Sequence, residues 1–242
     1  MNDKRILLKV QGLNFEIGSF SLKDINLSVN SGDYMVLLGK NGAGKTLFLD
    51  CLCGLRKLKS GEIFIGDRDV AGLPPRERNI GYVPQDYALF PKMKVKQNIS
   101  FGLEIRKINK EVIREKVGRM ADLLGISKLL ENYPKGLSGG EKQKVALGRA
   151  LIIEPGMLLL DEPVSALDEP TKMKCCQEFL KIQKETGVTI LHVCHNIDEV
   201  LMVAQRVCFF DNGKIVQSGP LNELIKKPAN EVVAGFFKKE KC

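Results

Sequence analysis

Between residues 39 and 46 the chain reads Gly39-Lys40-Asn41-Gly42-Ala43-Gly44-Lys45-Thr46. Glycines at this spacing let the backbone curl until successive N–H groups converge on one point, and a helix beginning there adds partial positive charge. Such a nest takes phosphate oxygens. Lys45 is placed to reach the β- and γ-phosphates of a nucleotide, and the Thr46 hydroxyl to ligate Mg²⁺. A glycine-rich surface turn would need no particular flanks. Here a continuous apolar run, 34–38, precedes the loop and a helical pattern, 46–55, succeeds it.

A second group lies far along the chain, where Met157-Leu158-Leu159-Leu160 ends in Asp161-Glu162-Pro163. A buried strand ending in two acids can merely solvate its own end. Paired with a phosphate loop, it supplies Asp161 to hold Mg²⁺ and Glu162 to orient the water that attacks the γ-phosphate. Strand alternation would send the two carboxylates to opposite sides. A third group is Leu137-Ser138-Gly139-Gly140-Glu141, ahead of a helical run through Leu151. Ser138 and Glu141 have capping-box spacing, and Gly139 and Gly140 leave bare N–H groups at a positive helix end, a second anion site.

The elements that must position these groups alternate in type. Residues 22–29 place apolar side chains near every second position, as on a half-buried strand, and 30–33 is a turn cluster. Runs at 157–160, 188–193 and 207–210 read as buried strands, with a helix over 171–186 closed by Gly187. Asp211-Asn212-Gly213-Lys214 carries a tight hairpin signal. From about 90 to 154 the pattern is helical, with Ile113, Val117, Met120, Ala121 and Leu124 on one stripe and Gly125 at its end. Alternating strands and helices give an α/β fold with a mostly parallel sheet. One domain over 1–242 is expected, with an α/β core over 1–89 and 155–242 interrupted by a helical part over 90–154.

Composition narrows the class. The 242 residues carry 44% hydrophobic and 27% charged side chains, ordinary for a globular chain and unlike a disordered, collagenous or coiled-coil one. No apolar window of about 18 residues spans a bilayer, and the first residues are too polar for a secretion signal, so the chain is expected in the cytosol. The formal charge of +8 is spread over helical stretches and the tail at 238–241, without Trp and without aromatic–basic interleaving, so no nucleic-acid partner is expected. Seven cysteines, an odd number without Cys-x-x-Cys spacing, read as reduced and mostly buried. His192 and His195, three apart on a strand, would point to opposite faces and could not share a metal ion.

Leu-Ser-Gly-Gly-Glu at 137–141, then Leu-Leu-Leu-Asp-Glu-Pro, then Ser165-Ala166-Leu167-Asp168, resembles the nucleotide-binding subunits of ABC transporters over nearly the whole chain. The resemblance implies an ATPase of P-loop type, with a mostly parallel sheet, an N-terminal antiparallel β subdomain and an inserted helical subdomain. It implies ATP and Mg²⁺, and a head-to-tail pair in which Ser138, Gly139 and Gly140 of one copy close over ATP held by Lys45 of the other. It assigns Gln85 to sensing Mg²⁺ and the γ-phosphate, His195 to contacting the γ-phosphate, and Asp168 to communication across the dimer. The adenine would stack on Ile17, Phe15 or Phe20. Lys40 stands where many relatives have Pro, and Cys194 where many have Thr.

The segment 81–91, with 18–24 and 73–78, looks like importer subunits, particularly the molybdate/tungstate group. Sulfate, polyamine, iron and maltose importers share much of this text. The implied partners are membrane permease subunits and, through them, a substrate-binding protein, with the chain peripheral on the cytoplasmic face. No C-terminal regulatory domain of the kind several relatives carry is expected, since the sequence ends at Cys242. DNA-repair and translation ATPases of the same architecture need long coiled coils or two cassettes per chain, and an ATP-binding dimer used for signalling is a third alternative.

Overall fold

The structure, a computed structural model, describes residues 5–238. Residues 1–4, the tail residues 239–241 and Cys242 lie outside the described residues. The chain opens with two long strands, β1 (Ile6–Ile17) and β2 (Phe20–Asn30), succeeded by β3 (Tyr34–Leu38) and helix α1 (Lys45–Cys53). Then come β4 (Ser60–Ile65), β5 (Arg68–Asp69) and β6 (Ile80–Val83), and three helices, α2 (Val95–Ile105), α3 (Lys110–Leu124) and α4 (Gly139–Leu151). The remainder is β7 (Met157–Asp161), α5 (Glu169–Thr186), β8 (Thr189–Val193), α6 (Ile197–Val203), β9 (Arg206–Asp211), β10 (Lys214–Pro220), α7 (Leu221–Lys226) and α8 (Glu231–Lys238).

Two sheets organise these elements: a four-stranded antiparallel sheet ordered β2-β1-β4-β5, and a six-stranded sheet ordered β10-β9-β3-β8-β7-β6. Every pairing in the larger sheet is parallel except the β9–β10 hairpin. That hairpin turns through Asn212 and Gly213, both at positive φ, as the sequence expectation required. β3 explains its own continuous apolar run. Tyr34, Val36 and Leu38 pack into a core shared with the helices, and Met35 and Leu37 into a second core under α1 and the antiparallel sheet. β7 divides in the same way, with Leu158 and Leu160 on one side and Met157 and Leu159 on the other. A strand buried on both faces has no polar positions to spare.

Helix α1 is shorter than the expected 46–55. Gly54, at φ 78, ends it in a left-handed cap. The buried Arg78 seals that end, its guanidinium donating to the carbonyls of Cys51 and Leu52 at 2.9 Å each, of Leu73 at 2.8 Å and of Ala71 at 2.9 Å. The helix carrying the phosphate loop is thereby tied to the segment that enters β6. α3 ends at Gly125 and α5 at Gly187, both left-handed, where the sequence put their stops. The cysteines described are free and buried, and burial pushes the thiols of Cys51, Cys53 and Cys176 up to about 12. Thiols held that far above neutrality are poor nucleophiles.

Candidate nucleotide site

The carboxyl ends of β3, β6, β7 and β8 open toward one edge of the larger sheet, where a parallel α/β sheet offers its crevice. Each delivers one group. β3 runs into the phosphate loop, and Gly44 at φ 104 turns it into α1. A Cβ at Gly44 would stand 2.7 Å from a Leu22 methyl and 3.0 Å from the Phe20 ring, so only glycine fits between loop and antiparallel sheet. Lys45 is 4% exposed, and its Nζ donates to the carbonyls of Gly39 at 2.7 Å and Lys40 at 3.0 Å. Burial lowers its pKa below the ordinary lysine value.

β7 delivers Asp161, 3% exposed, with both carboxylate oxygens engaged. Oδ1 accepts from the Thr46 hydroxyl at 2.9 Å and Oδ2 from the Tyr82 hydroxyl at 3.3 Å. Burial is the largest influence on this carboxyl and raises its pKa. Burial likewise pushes the Tyr82 hydroxyl upward, which keeps it a donor. Glu162 comes next, but strand alternation does not place it. β7 stops at Asp161, and Glu162 adopts φ 46, a left-handed conformation unusual for a side chain of this size. Ser165 holds it there, its Oγ donating to the Glu162 carbonyl at 3.0 Å. Both acids serve the same crevice, Asp161 bonding Thr46 in the loop and Glu162 lining the cavity. Strain at such a residue is a cost that recurs at functional sites.

Gln85, past the end of β6, donates from Nε2 to Glu162 Oε2 at 3.5 Å, and His195 Nδ1 lies 3.4 Å from the same oxygen. His195 and His192 are separated for a different reason than expected, since β8 ends at Val193 and His195 stands beyond it. His192 is fully buried, with Nδ1 2.9 Å from the Tyr34 hydroxyl and Nε2 2.8 Å from Glu199 Oε1. It is a core residue that ties α6 to the sheet. Among the described residues no group of three or more His, Cys, Asp or Glu could hold a metal ion. The Thr46–Asp161 pair is a hard-oxygen set suited to an Mg²⁺ ion whose other ligands are phosphates and water.

The loop beyond Gln85 is bent. Tyr87 and Ala88 are successive non-glycine residues at φ 62 and φ 43. Each costs roughly 1–2 kcal/mol in a left-handed conformation. The Arg149 guanidinium, on α4, donates to both of their carbonyls, at 2.8 Å and 2.7 Å, and sits 5.1 Å above the Phe90 ring. Hydrogen bonds from a charged donor contribute about 1.5–3 kcal/mol each, enough to outweigh the strain. The sequence alone assigns Arg149 no role, because a basic residue in an amphipathic helix carries no local signal of what it meets across a domain.

A cavity of about 450 Å³ is lined by Phe20, Asn41, Gly42, Gly44, Lys45, Thr46, Leu47, Gln85 and Glu162. Of the three candidates for the base, Phe20 lines it, Phe15 is buried in the core and Ile17 is 42% exposed. Ser138, Gly139 and Gly140 are not in its wall. They begin α4 with the expected capping box, Ser138 N–H donating to Glu141 Oε2 at 2.8 Å and Glu141 N–H to Ser138 Oγ at 3.4 Å. Asp168 caps α5, accepting from the Thr171 N–H at 3.0 Å.

A phosphate loop on a parallel sheet, with an acid pair at the end of the strand two places away, defines a P-loop nucleotide hydrolase. Residues 22–165 match the ABC transporter family, and the chain belongs to it. The molybdate/tungstate import ATP-binding protein WtpC of Thermococcus kodakarensis is 45% identical over 232 residues, 96% of this chain and 70% of that protein. The maltose/maltodextrin import ATP-binding protein MalK of Escherichia coli is 40% identical over 89% of this chain and 58% of its own length. A dimeric ATP-binding cassette in a post-hydrolysis state, bound to ADP and Pi, shares the fold with a TM-score of 0.78 and 26% identity, covering 89% of this chain and 99% of that one. A nucleotide-free cassette from an ABC transporter gives a TM-score of 0.83 at 24% identity over 96% of this chain and 98% of that one. The chain is an ATPase of this family.

Proposed function

We propose that this chain hydrolyses ATP to drive an importer for a tetrahedral oxyanion, molybdate or tungstate. The observation that carries the ATPase reading is the meeting of phosphate loop, Gln85 and Glu162 around one cavity. The choice of anion rests on likeness to relatives bearing that name, because the anion itself would not touch this chain. Import of another substrate, such as maltose, sulfate, polyamine or iron, is the alternative that an uptake assay separates.

ATP enters with its phosphates on the loop 39–46, displacing the Gly39 and Lys40 carbonyls from Lys45, whose ammonium then meets the β- and γ-phosphates. Thr46, Asp161 and Gln85 would hold Mg²⁺, which when bound supplies positive charge against the phosphate oxygens. Glu162 accepts a proton from the attacking water, and His195 hydrogen-bonds the γ-phosphate oxygens. Phe20 packs on the base. Among the described residues no helix is long and apolar enough to cross a membrane. In the importer reading the chain sits peripherally on the cytoplasmic face, bound to permease subunits that a substrate-binding protein supplies.

Ser138, Gly139 and Gly140 lie outside the cavity wall yet present a positive helix end. A second copy, arranged head to tail, brings them over the ATP of the first, and Asp168 communicates across that pair. The core over 1–89 and 155–242 holds the nucleotide, and the helical part over 90–154 swings with the signature. The test is light scattering of Glu162→Gln with and without ATP. Doubling of mass with ATP only, abolished by Ser138→Arg, is the expected result. A monomer under both conditions, in the presence of membrane subunits as well, would overturn the paired site.

A further inference from the structure

Gln85 and Glu162 meet at 3.5 Å, but nothing in the short strand β6 fixes where Gln85 points once the strand ends at Val83. Just beyond Gln85 lies the left-handed pair Tyr87–Ala88, held by the Tyr87 N–H donating to the Pro84 carbonyl at 2.9 Å and by contacts from three side chains. Asp86 Oδ1 accepts from the Ala88 N–H at 3.1 Å, the Tyr87 hydroxyl reaches the Pro163 carbonyl at 3.4 Å, and Arg149 grips both carbonyls of the pair. The Pro163 contact joins this turn to the residue after Glu162. The Arg149 contact joins it to α4, whose first turn is the Ser138–Gly140 signature. One guanidinium therefore ties the helix that begins with the signature to the turn just beyond Gln85.

We propose that Arg149 is a positioning residue for hydrolysis: by clamping the strained turn at Tyr87 and Ala88 it holds Gln85 against Glu162 and makes that alignment depend on where the signature helix sits. The inference rests on the reading of Gln85 and Glu162 as hydrolytic groups. Its chemistry requires a planar fork with two parallel donors, which lysine does not provide. A helix that shifts as the second copy closes would carry Arg149 with it, and the turn would move too.

The experiment uses the purified full chain and reads kcat and KM for MgATP, affinity for a fluorescent ATP analogue, and Tm. Arg149→Gln lowers kcat about tenfold or more while KM and analogue affinity stay within about twofold. Arg149→Lys falls between. Ala88→Gly alone leaves kcat near wild type, and added to Arg149→Gln it recovers several-fold of the lost turnover, because glycine adopts the left-handed turn without a clamp. A merely structural arginine would lower Tm and leave kcat per folded molecule unchanged, and that result overturns the proposal. So does a double variant that regains Tm without regaining kcat. Should Arg149→Gln not fold, Arg149→Lys with and without Ala88→Gly makes the same comparison. Glu162→Gln is measured beside them: wild-type turnover there would sink the site reading itself, whereas normal turnover in Arg149→Gln beside an inactive Glu162→Gln would sink only this inference.

Discussion

The phosphate loop and the signature element both stand at the start of a helix, yet the chain treats them differently. Around Lys45 and Asp161 the charged groups are buried and engaged by the chain itself: carbonyls of the loop on one, hydroxyls of Thr46 and Tyr82 on the other. At the signature, Ser138 and Gly139 are exposed, and Ser138 meets local partners within the capping box. The first site is organised before its ligand arrives. The second has its helix end shaped but lies outside the wall of the nucleotide cavity. In the proposed head-to-tail pairing, a single chain is half of a machine, complete for binding and incomplete for turnover.

The largest effects come from breaking one half while sparing the other. Lys45→Ala should remove nucleotide binding and with it hydrolysis, by about 10²–10³-fold or more in kcat, measured by phosphate release. Ser138→Arg should leave affinity for a fluorescent ATP analogue within about twofold and still abolish turnover. Mixing the two inactive proteins sharpens the point. A head-to-tail pair of one Lys45→Ala and one Ser138→Arg copy contains one site with both defects and one with neither, so activity should return to up to about a quarter of the wild-type level. No recovery on mixing would mean that the two elements do not act across copies.

How much of this was open to reading from the residues depends on the range of the forces involved. The phosphate loop, the acid pair and the capping box are local patterns, and each sits where the sequence placed it, because turn geometry and helix capping are settled within a few residues. Helix stops at Gly125 and Gly187 were legible for the same reason. What escaped was set by tertiary approach. The left-handed turn at Glu162 carries no local signal: strand alternation assumes β7 continues, whereas the strand stops at Asp161 and the Ser165 hydroxyl bonds the Glu162 carbonyl. Tyr82 on Asp161, Arg78 on the end of α1 and Arg149 on the turn at 87–88 join residues tens of positions apart. His192 is a further case: its partners Tyr34 and Glu199 come from a neighbouring strand and a helix, and only their meeting in the core tells it apart from a ligand.

A smaller effect tests whether the finished site comes at the expense of stability. Burial raises the Asp161 pKa, so ionising this carboxyl at neutral pH costs more in the folded protein than in the unfolded chain and opposes folding. Asp161→Asn should therefore raise the Tm of the nucleotide-free chain, by about 2–4 °C for roughly 1 kcal/mol in a domain of this size, while hydrolysis is lost. The effect has a definite sign with pH. Above the raised pKa the wild type bears the cost of ionisation; as pH falls toward the ordinary value of 3.8 both forms are neutral and the difference closes. Calorimetry of the two proteins from about pH 7 to about pH 4 reads it directly. A variant less stable than wild type at neutral pH would show that the Thr46 and Tyr82 hydrogen bonds outweigh the burial.

The signature side should give the opposite sign and the smallest size. Glu141 accepts from the Ser138 N–H and hydroxyl, and the backbone bond is the larger influence that lowers its pKa below 4.5. A carboxylate with a depressed folded pKa contributes stability that is present above its unfolded value and is lost as pH falls through the folded one. Glutamine retains the capping geometry without the charge, so Glu141→Gln should cost only a few tenths of a kcal/mol at neutral pH. That cost should shrink as pH falls from the ordinary 4.5 through the lower folded-state value, where the wild-type carboxylate is itself protonated. Ser138→Ala, which removes the cap outright, should cost about 1 kcal/mol. In both variants the loss belongs to α4 alone, so nucleotide affinity at the loop 39–46 should not move. If it did, the signature helix would already be coupled to the loop within one chain, and the division between a finished and an unfinished half would have to be redrawn.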